Sequence, residues 1–364
     1  MEKAECEKTA SLRDRRHAIS RPAQALRWRL QYCRMQAILA VTIPFFGLVL
    51  LGWLAGRMHW LPESAIPGLN AYVLFFALPC LLFGFGSSLP VERLVNPAQL
   101  GVYLAAALAI IALTVAVTLK RPGRDGVDLR DAGFGALVAA FPNAGFMGVP
   151  LLVALLGDAA AGPVIGAIVV DLIVTSTICL ALAQAHTHRP GVEDRTVLRA
   201  ATLSLRGALT NPLPWAIAIG ALFSATRREL PSSLGQIVRM LGDSATPVAL
   251  FTIGAVLWRA GEHAHTRTPL GRTLPVALIK LVVHPALVLG FGTAARALGA
   301  PLPAFALMVL TLTAALPSAS NVSVLAERYG ADNGRVARII LISTALAFVT
   351  FTAAAWLFGV GKSA

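Results

Sequence analysis

"FPNAGFMGVPLL", residues 141–152, puts a proline, an asparagine and two glycines in the middle of a stretch otherwise apolar enough to cross a membrane. A proline inside a helix removes one N–H donor and frees the carbonyl four residues earlier, here that of Val138. Open backbone at membrane depth is tolerated only where protein buries it or where it lines a wet cavity. The stretch reads as a helix broken where something makes use of the break. An ordinary kink shielded from lipid is the alternative for one such stretch taken alone.

The rest of the chain supplies the membrane. Over 364 residues it is 56% hydrophobic and 13% charged, against about 25% charged in a soluble domain. Mean hydropathy is +0.71. That apolar surface exceeds what a soluble core of this length buries, so lipid is expected to cover it. Windows of about 20 apolar residues fall near 36–55, 70–89, 99–119, 132–157, 162–184, 211–226, 244–258, 274–297, 302–326 and 336–359. None alternates as a barrel strand would. The expected fold class is an all-α polytopic membrane protein with ten transmembrane helices.

A second break matches the first. "AAFPNA" at 139–144 recurs as "AALPSA" at 314–319, which pairs Pro142 with Pro317. "LPES" at 61–64 answers "LPSS" at 230–233, "ALPCLLFGFG" at 77–86 answers "ATPVALFTIG" at 245–254, and "VTST" at 174–177 answers "VTFT" at 349–352. Four matches in the same order indicate an internal repeat. Residues 35–186 form the first five-helix unit, 187–210 a short cytoplasmic loop, and 211–364 the second unit. An odd number of spans per unit inverts the second copy, giving a 5+5 inverted repeat with two crossing broken helices, a construction used by many secondary transporters.

Half-helices restarting after each proline would aim N-terminal N–H groups, with their partial positive charge, at the protein centre. Asn143, Ser318, Ser320 and Asn321 add neutral donors and acceptors there. The arrangement suits an anion, most simply a carboxylate. The second freed carbonyl is expected at Thr313. Gly84, Gly86, Gly145 and Gly148 are read as permitting close helix packing.

Charge sets the expected orientation. With the first span starting outside, inner loops hold 15 Lys and Arg and outer segments hold 6, so both ends of the membrane part are expected outside. Residues 1–34 carry nine further basic residues and no signal-peptide pattern. They read as a start assigned too early, before Met35, or else as a basic arm. The net charge of +13 thus belongs to loops and this arm rather than to a nucleic-acid surface. His186/His188 and His263/His265 fall in inner loops and read as solvated; no metal and no cofactor is expected.

These residues also carry a resemblance. "FPNAGFMGVPLL" followed by "GD", and "AALPSASNVSVLAERYGAD", resemble the two broken-helix motifs of the auxin efflux carrier family. "WLPESAIPGLNAYVLFFALPCLLF", "NPLPWAIAIGALFS" and "KLVVHPAL" are similar to family segments in the first two, sixth and eighth spans. Many bacterial members have Ser-Asn-Thr-Gly where this chain has Pro142-Asn143-Ala144-Gly145, so the Pro-Asn here is nearer the plant carriers, whose long central loop is missing. The resemblance implies a carrier working by alternating access, with folds similar to sodium/proton antiporters and bile-acid symporters, while the short loops and the composition rich in arginine and alanine point to the inner (plasma) membrane of a bacterium. It implies a small organic anion as substrate (malonate, malate or an auxin-like acid), membrane lipid around it and a homodimer as a possible assembly. Carried over, Pro142, Asn143, Gly145, Pro317, Ser318, Ser320 and Asn321 would line the site.

Charges inside spans are costly unless paired or wet. Asp171 and Lys280 lie well inside apolar runs, with His284 one turn after Lys280. They are read as a structural link, Asp171 to Lys280 or to backbone, or as a proton-coupling set. A cation/proton antiporter or sodium-coupled symporter on the same architecture is the second reading. It expects acids beside the crossover, and none lies near Pro142 or Pro317 in sequence. No phosphate-cradling loop or nucleophile triad suggests an enzyme.

Overall fold

A computed structural model describes residues 22–90, 96–120, 126–185, 210–262 and 269–360. The four histidines of the two H-x-H pairs lie outside the described residues, as does most of the basic arm. Among the described residues there are helices and two isolated backbone bridges, and no strand. In chain order the helices are α1 (Pro22–Arg57), α2 (Ala65–Ser88), α3 (Pro97–Thr118), α4 (Leu129–Ala140), α5 (Ala144–Leu156) and α6 (Asp158–Ala185). They continue with α7 (Pro212–Thr226), α8 (Ser232–Glu262), α9 (Leu270–Ala297), α10 (Ala304–Ala314), α11 (Asn321–Arg328) and α12 (Asn333–Leu357).

Seven of these are long and apolar enough to cross a membrane: most of α1, then α2, α3, α6, α8, α9 and α12. The chain is a multi-pass membrane protein. The expected fourth and ninth spans are each two pieces, α4 with α5 and α10 with α11, and α7 is a short apolar helix. The short seventh span expected over 244–258 is instead a helix of 31 residues. Gln236, Arg239 and Asp243 lower the apolar reading of its first half, but they point outward and do not oppose helix formation strongly. The helix α1 runs straight through the Arg34–Met35 boundary, and the Arg34 guanidinium donates to the carbonyls of Trp356 and Val360 at the end of α12.

Helix starts are set by side chains. Asn96, Asp128, Asn211 and Asp332 each accept a backbone N–H two or three residues on, and Pro97 and Pro212 occupy the first helical position where no donor is needed. Among the described residues there are four π-helical turns, at Val73–Ala77, Asp171–Thr175 and Ile279–Val283 inside long helices and at Ala144–Gly148 at the start of α5. Three have a physical cause in the proline that follows, Pro79, Pro150 and Pro285. The residue before each proline reaches back five positions rather than four, widening the turn around the carbonyl that the proline leaves open. The fourth has no proline. There Ser176 and Thr177 hydroxyls donate to the carbonyls of Leu172 and Ile173, each at 2.5 Å.

Packing divides the helices into two groups. In one, α1 lies along α8 and α2 along α7, with Tyr72 and Ser244 hydroxyls 2.7 Å apart between α2 and α8. In the other, α3, α4, α6, α9, α10 and α12 pack on one another around the two breaks. Glycines bring the first group together. A Cβ on Gly52 would overlap the Phe251 carbonyl, and one on Gly254 the Val49 carbonyl. A Cβ on Gly220 would sit 2.6 Å from the Phe83 oxygen, and one on Gly86 3.0 Å from that of Ile217. Gly52 and Gly220, Phe83 and Phe251, Gly86 and Gly254, and Val49 and Ile217 are each 168 positions apart (220 − 52, 251 − 83, 254 − 86, 217 − 49). Gly148 likewise faces the Leu316 side chain, but Gly84 and Gly145 have nothing within 4 Å and are not packing contacts as expected.

Candidate functional site

The two breaks meet. Helix α4 ends with Phe141, and Pro142 cannot extend it. The next N–H, of Asn143, instead donates to the Pro317 carbonyl at 2.8 Å, and the Ala319 N–H donates to the Phe141 carbonyl at 3.1 Å. The unwound segments therefore form a short antiparallel bridge, Pro142 opposite Ser318. Ser318 is pinned from a third side, its N–H donating to the Ser343 hydroxyl at 3.2 Å.

The half-helices after the bridge leave donors open. Met147 and Gly148 N–H groups both reach the Asn143 carbonyl, which leaves Gly145 and Phe146 without a main-chain acceptor. On the other segment Val322 and Ser323 bond back to Ala319 and Ser320, and Asn321 has no such acceptor. The side chains add to this. Asn143 is 3% exposed, and its side chain makes no capping hydrogen bond to the half-helix that follows. Asn321 Oδ1 and Ser318 Oγ are buried without a partner. Ser320 is buried, and its carbonyl accepts from the Ser323 hydroxyl at 2.9 Å.

Asn143, Gly145, Pro142 and Asn321 line one cavity of about 30 Å³, together with Asp171, Asn211, Leu74 and Leu213. That volume holds little more than a water molecule. A second cavity of about 730 Å³ lies beside it, lined by Asn70, Arg259, Ser323, Glu327, Asp332 and others. Leu74 lines both.

Asp171 thus stands at the crossover, although no acid is near either proline in sequence. It opens the proline-free π turn of α6 and is 1% exposed. The Tyr103 hydroxyl donates to its Oδ2 at 2.8 Å and the Thr175 hydroxyl to its Oδ1 at 3.0 Å. Lys280 makes no ion pair with it. Its ammonium donates to the Ala314 carbonyl at 2.6 Å and lies 3.3 Å from His284 Nδ1. The His284 ring stacks at a tilt against Tyr103, centroids 5.8 Å apart, and its Nε2 is buried without a partner.

The Ala314 contact corrects the expected position of the second freed carbonyl. The end of α10 tightens, with Ala315 donating to Leu312 and Leu316 to Thr313, each at 3.2 Å. In that tighter pattern Thr313 is satisfied, and Pro317, lacking an N–H, orphans Ala314 instead. Lys280 supplies the missing donor and places a cation at a helix C-terminus. Asn211, Tyr103, Thr175 and Leu74 were not singled out from sequence. Asn211 had one visible signal, an amide directly before Pro212 at the head of an apolar helix. Among the described residues no cluster of histidine, cysteine or acid could hold a metal.

The chain is 29% identical over 320 residues to a candidate malonate transporter of Rhizobium meliloti (strain 1021), covering 87% of this chain and 95% of the relative. It is 23% identical over 335 residues to auxin efflux carrier component 8 of Arabidopsis thaliana, covering 80% and 89%. It is also 23% identical over 330 residues to the transporter YfdV of Escherichia coli (strain K12), covering 87% and 95%. Residues 37–355 match the family model described as membrane transport protein, and the chain belongs to that family, alongside the auxin efflux carriers.

Proposed function

We propose that the chain is a secondary carrier for a small organic anion, bound where the two broken helices meet. One observation carries the reading: a main-chain bridge joins the breaks, and the open donors, the Asn143 amide and the unpartnered Asn321 Oδ1 converge beside it on one cavity. Each half-helix N-terminus contributes about 0.3–1 kcal/mol toward an anion, and up to about 2 when partly buried. The site is too small for a carboxylate as it stands, so binding has to be accompanied by separation of the two helix groups, as alternating access requires.

A 5+5 inverted repeat of ten spans supports this motion. The contact of α1 with α8 and that of α2 with α7 exchange under the repeat, and the glycine crossings share one offset of 168. The larger cavity, with Arg259, Glu327 and Asp332, is then an entrance from the side rich in Lys and Arg, the cytoplasm, with both ends of the membrane part outside. We assign the carrier to a bacterial inner membrane, with malonate, malate or an auxin-like acid as its substrate class.

Asn143→Ala and Asn321→Ala test the site. Asn143 caps no helix end and Asn321 Oδ1 has no partner, so both variants should fold. Each should lose about 1 kcal/mol or more of anion affinity, about fivefold. Thermal stabilisation of the purified protein by malonate, malate and indole-3-acetate reads this out. Wild-type affinity in both variants would move the anion elsewhere.

A cation-coupled carrier is the second reading, and Asp171 favours it, since it supplies the acid at the crossover that this reading needs. It also poses a difficulty for any anion. Two negative charges about 4 Å apart repel by about 4 kcal/mol at an effective dielectric of about 20. Stabilisation by sodium alone, with none by any acid, would decide for this reading.

A further inference from the structure

We infer that Asp171 is the coupling site of the carrier: it takes up one proton when the anion binds and releases it when the anion leaves. The inference rests on the crossover reading and adds the co-transported ion. Asp171 lines the same cavity as Asn143 and Asn321, so an anion seated between those amides faces its carboxyl group. An ionised Asp171 would repel that anion, whereas a protonated one offers it a neutral O–H donor.

Among the described residues one cation faces Asp171, that of Lys280, and it forms no ion pair with the carboxyl group. From α3 the facing titratable group is Tyr103, which donates to Oδ2. From α9 they are Lys280 and His284, and the ammonium is committed to the Ala314 carbonyl and to His284 Nδ1. Along its own helix Asp171 has Thr175, a neutral donor, and Cys179 two turns on. The buried stretch 132–140 of α4, and α5 and α10, contain no titratable side chain apart from the distant ends of those helices. Asp171 is therefore held by two hydroxyl donors and no salt bridge, a setting that can accommodate either the carboxylate or the acid. Each carboxyl oxygen accepts one hydroxyl bond and keeps a second lone-pair site, so the added proton can face the anion without displacing either donor.

The proton balance is simple. The carboxylate of Asp171 gains one proton from the water on the loading side, the neutral acid and the anion move together, and the proton returns to water on the far side. By linkage, proton binding and anion binding must strengthen each other equally. Anion affinity should then fall by about tenfold per pH unit where Asp171 is ionised in the empty carrier.

Calorimetry on the purified full chain tests this, with malonate, malate and indole-3-acetate each titrated in two buffers of different ionisation enthalpy as pH is scanned through neutrality. The wild type should take up about one proton per anion at the maximum. Asp171→Asn, isosteric and able to keep the Tyr103 bond, should bind the anion with no uptake and no tenfold slope. Binding by the wild type without proton uptake at any pH overturns the coupling and leaves the anion site standing. Uptake that persists unchanged in Asp171→Asn places the proton on the bound acid and also overturns it. If no acid binds the wild type, the anion site and the coupling fall together. The wild-type proton count needs no variant, so a misfolded Asp171→Asn would not shield the inference.

Discussion

Gly254→Ala is expected to be the most damaging single-methyl change in the molecule. The added Cβ would overlap the Val49 carbonyl and stand 2.6 Å from the Trp53 nitrogen. Both are main-chain atoms, so no side chain can swing aside, and α1 and α8 have to separate along their length. Overpacking by one methyl group costs about 1–3 kcal/mol where side chains can adjust, and a backbone clash belongs at or beyond the upper end. The expected result is loss of most folded protein on mild heating in detergent. Gly52→Ala strikes the same crossing from the other helix, so the two changes should be far from additive. Gly84→Ala is the control. It has nothing within 4 Å and should be neutral or stabilising by up to about 1 kcal/mol. Equal melting temperatures for Gly254→Ala and Gly84→Ala would refute the close crossing.

Lys280→Met should be the second largest. A buried ammonium is often replaceable by an apolar side chain without loss when its partner is replaced too. Here the partner is the Ala314 main-chain carbonyl, which no substitution removes. The variant therefore leaves that oxygen buried and unbonded beside the break in α10, at a cost of about 1.5–3 kcal/mol for a lost bond to a charged donor. Lys280→Arg should not restore it, since the position is fully buried and a planar guanidinium is bulkier than the ammonium. Unfolding by heat or denaturant measures the effect. A Lys280→Met protein as stable as the wild type would mean that Ala314 finds another donor.

How far the sequence could be read depended on whether the cause was local. Pro142 and Pro317 announce their breaks because a missing N–H acts within one turn, and the resemblance in the flanking motifs reached the right family. The match of Gly86 with Gly254 was visible as repetition, but not that each presses on a carbonyl of a different helix. The position of the orphaned carbonyl was off by one residue because it depends on how tightly α10 finishes, which is decided by packing. Asp171 was the larger failure of inference. It lies 28 residues after Asn143 and 150 before Asn321 (171 − 143, 321 − 171), and distance along the chain was taken for distance in space. Lys280 and Asp171 were both recognised as buried charges. Their separate attachments, to a carbonyl and to two hydroxyls, are tertiary facts with no local signature.

The bridge between the breaks has a mechanical consequence. Its two bonds close a ring through residues 141–143 and 317–319, so the halves of the crossover are fastened to each other and act as a single hinge-free block. Of the residues around the small cavity, Leu74 of α2, Asn211 that caps α7 and Leu213 of α7 alone stand in the group the block does not include. Room for a solute has to come from sliding that wall away, while the bonds from Asn143 to Pro317 and from Ala319 to Phe141 hold the two breaks together.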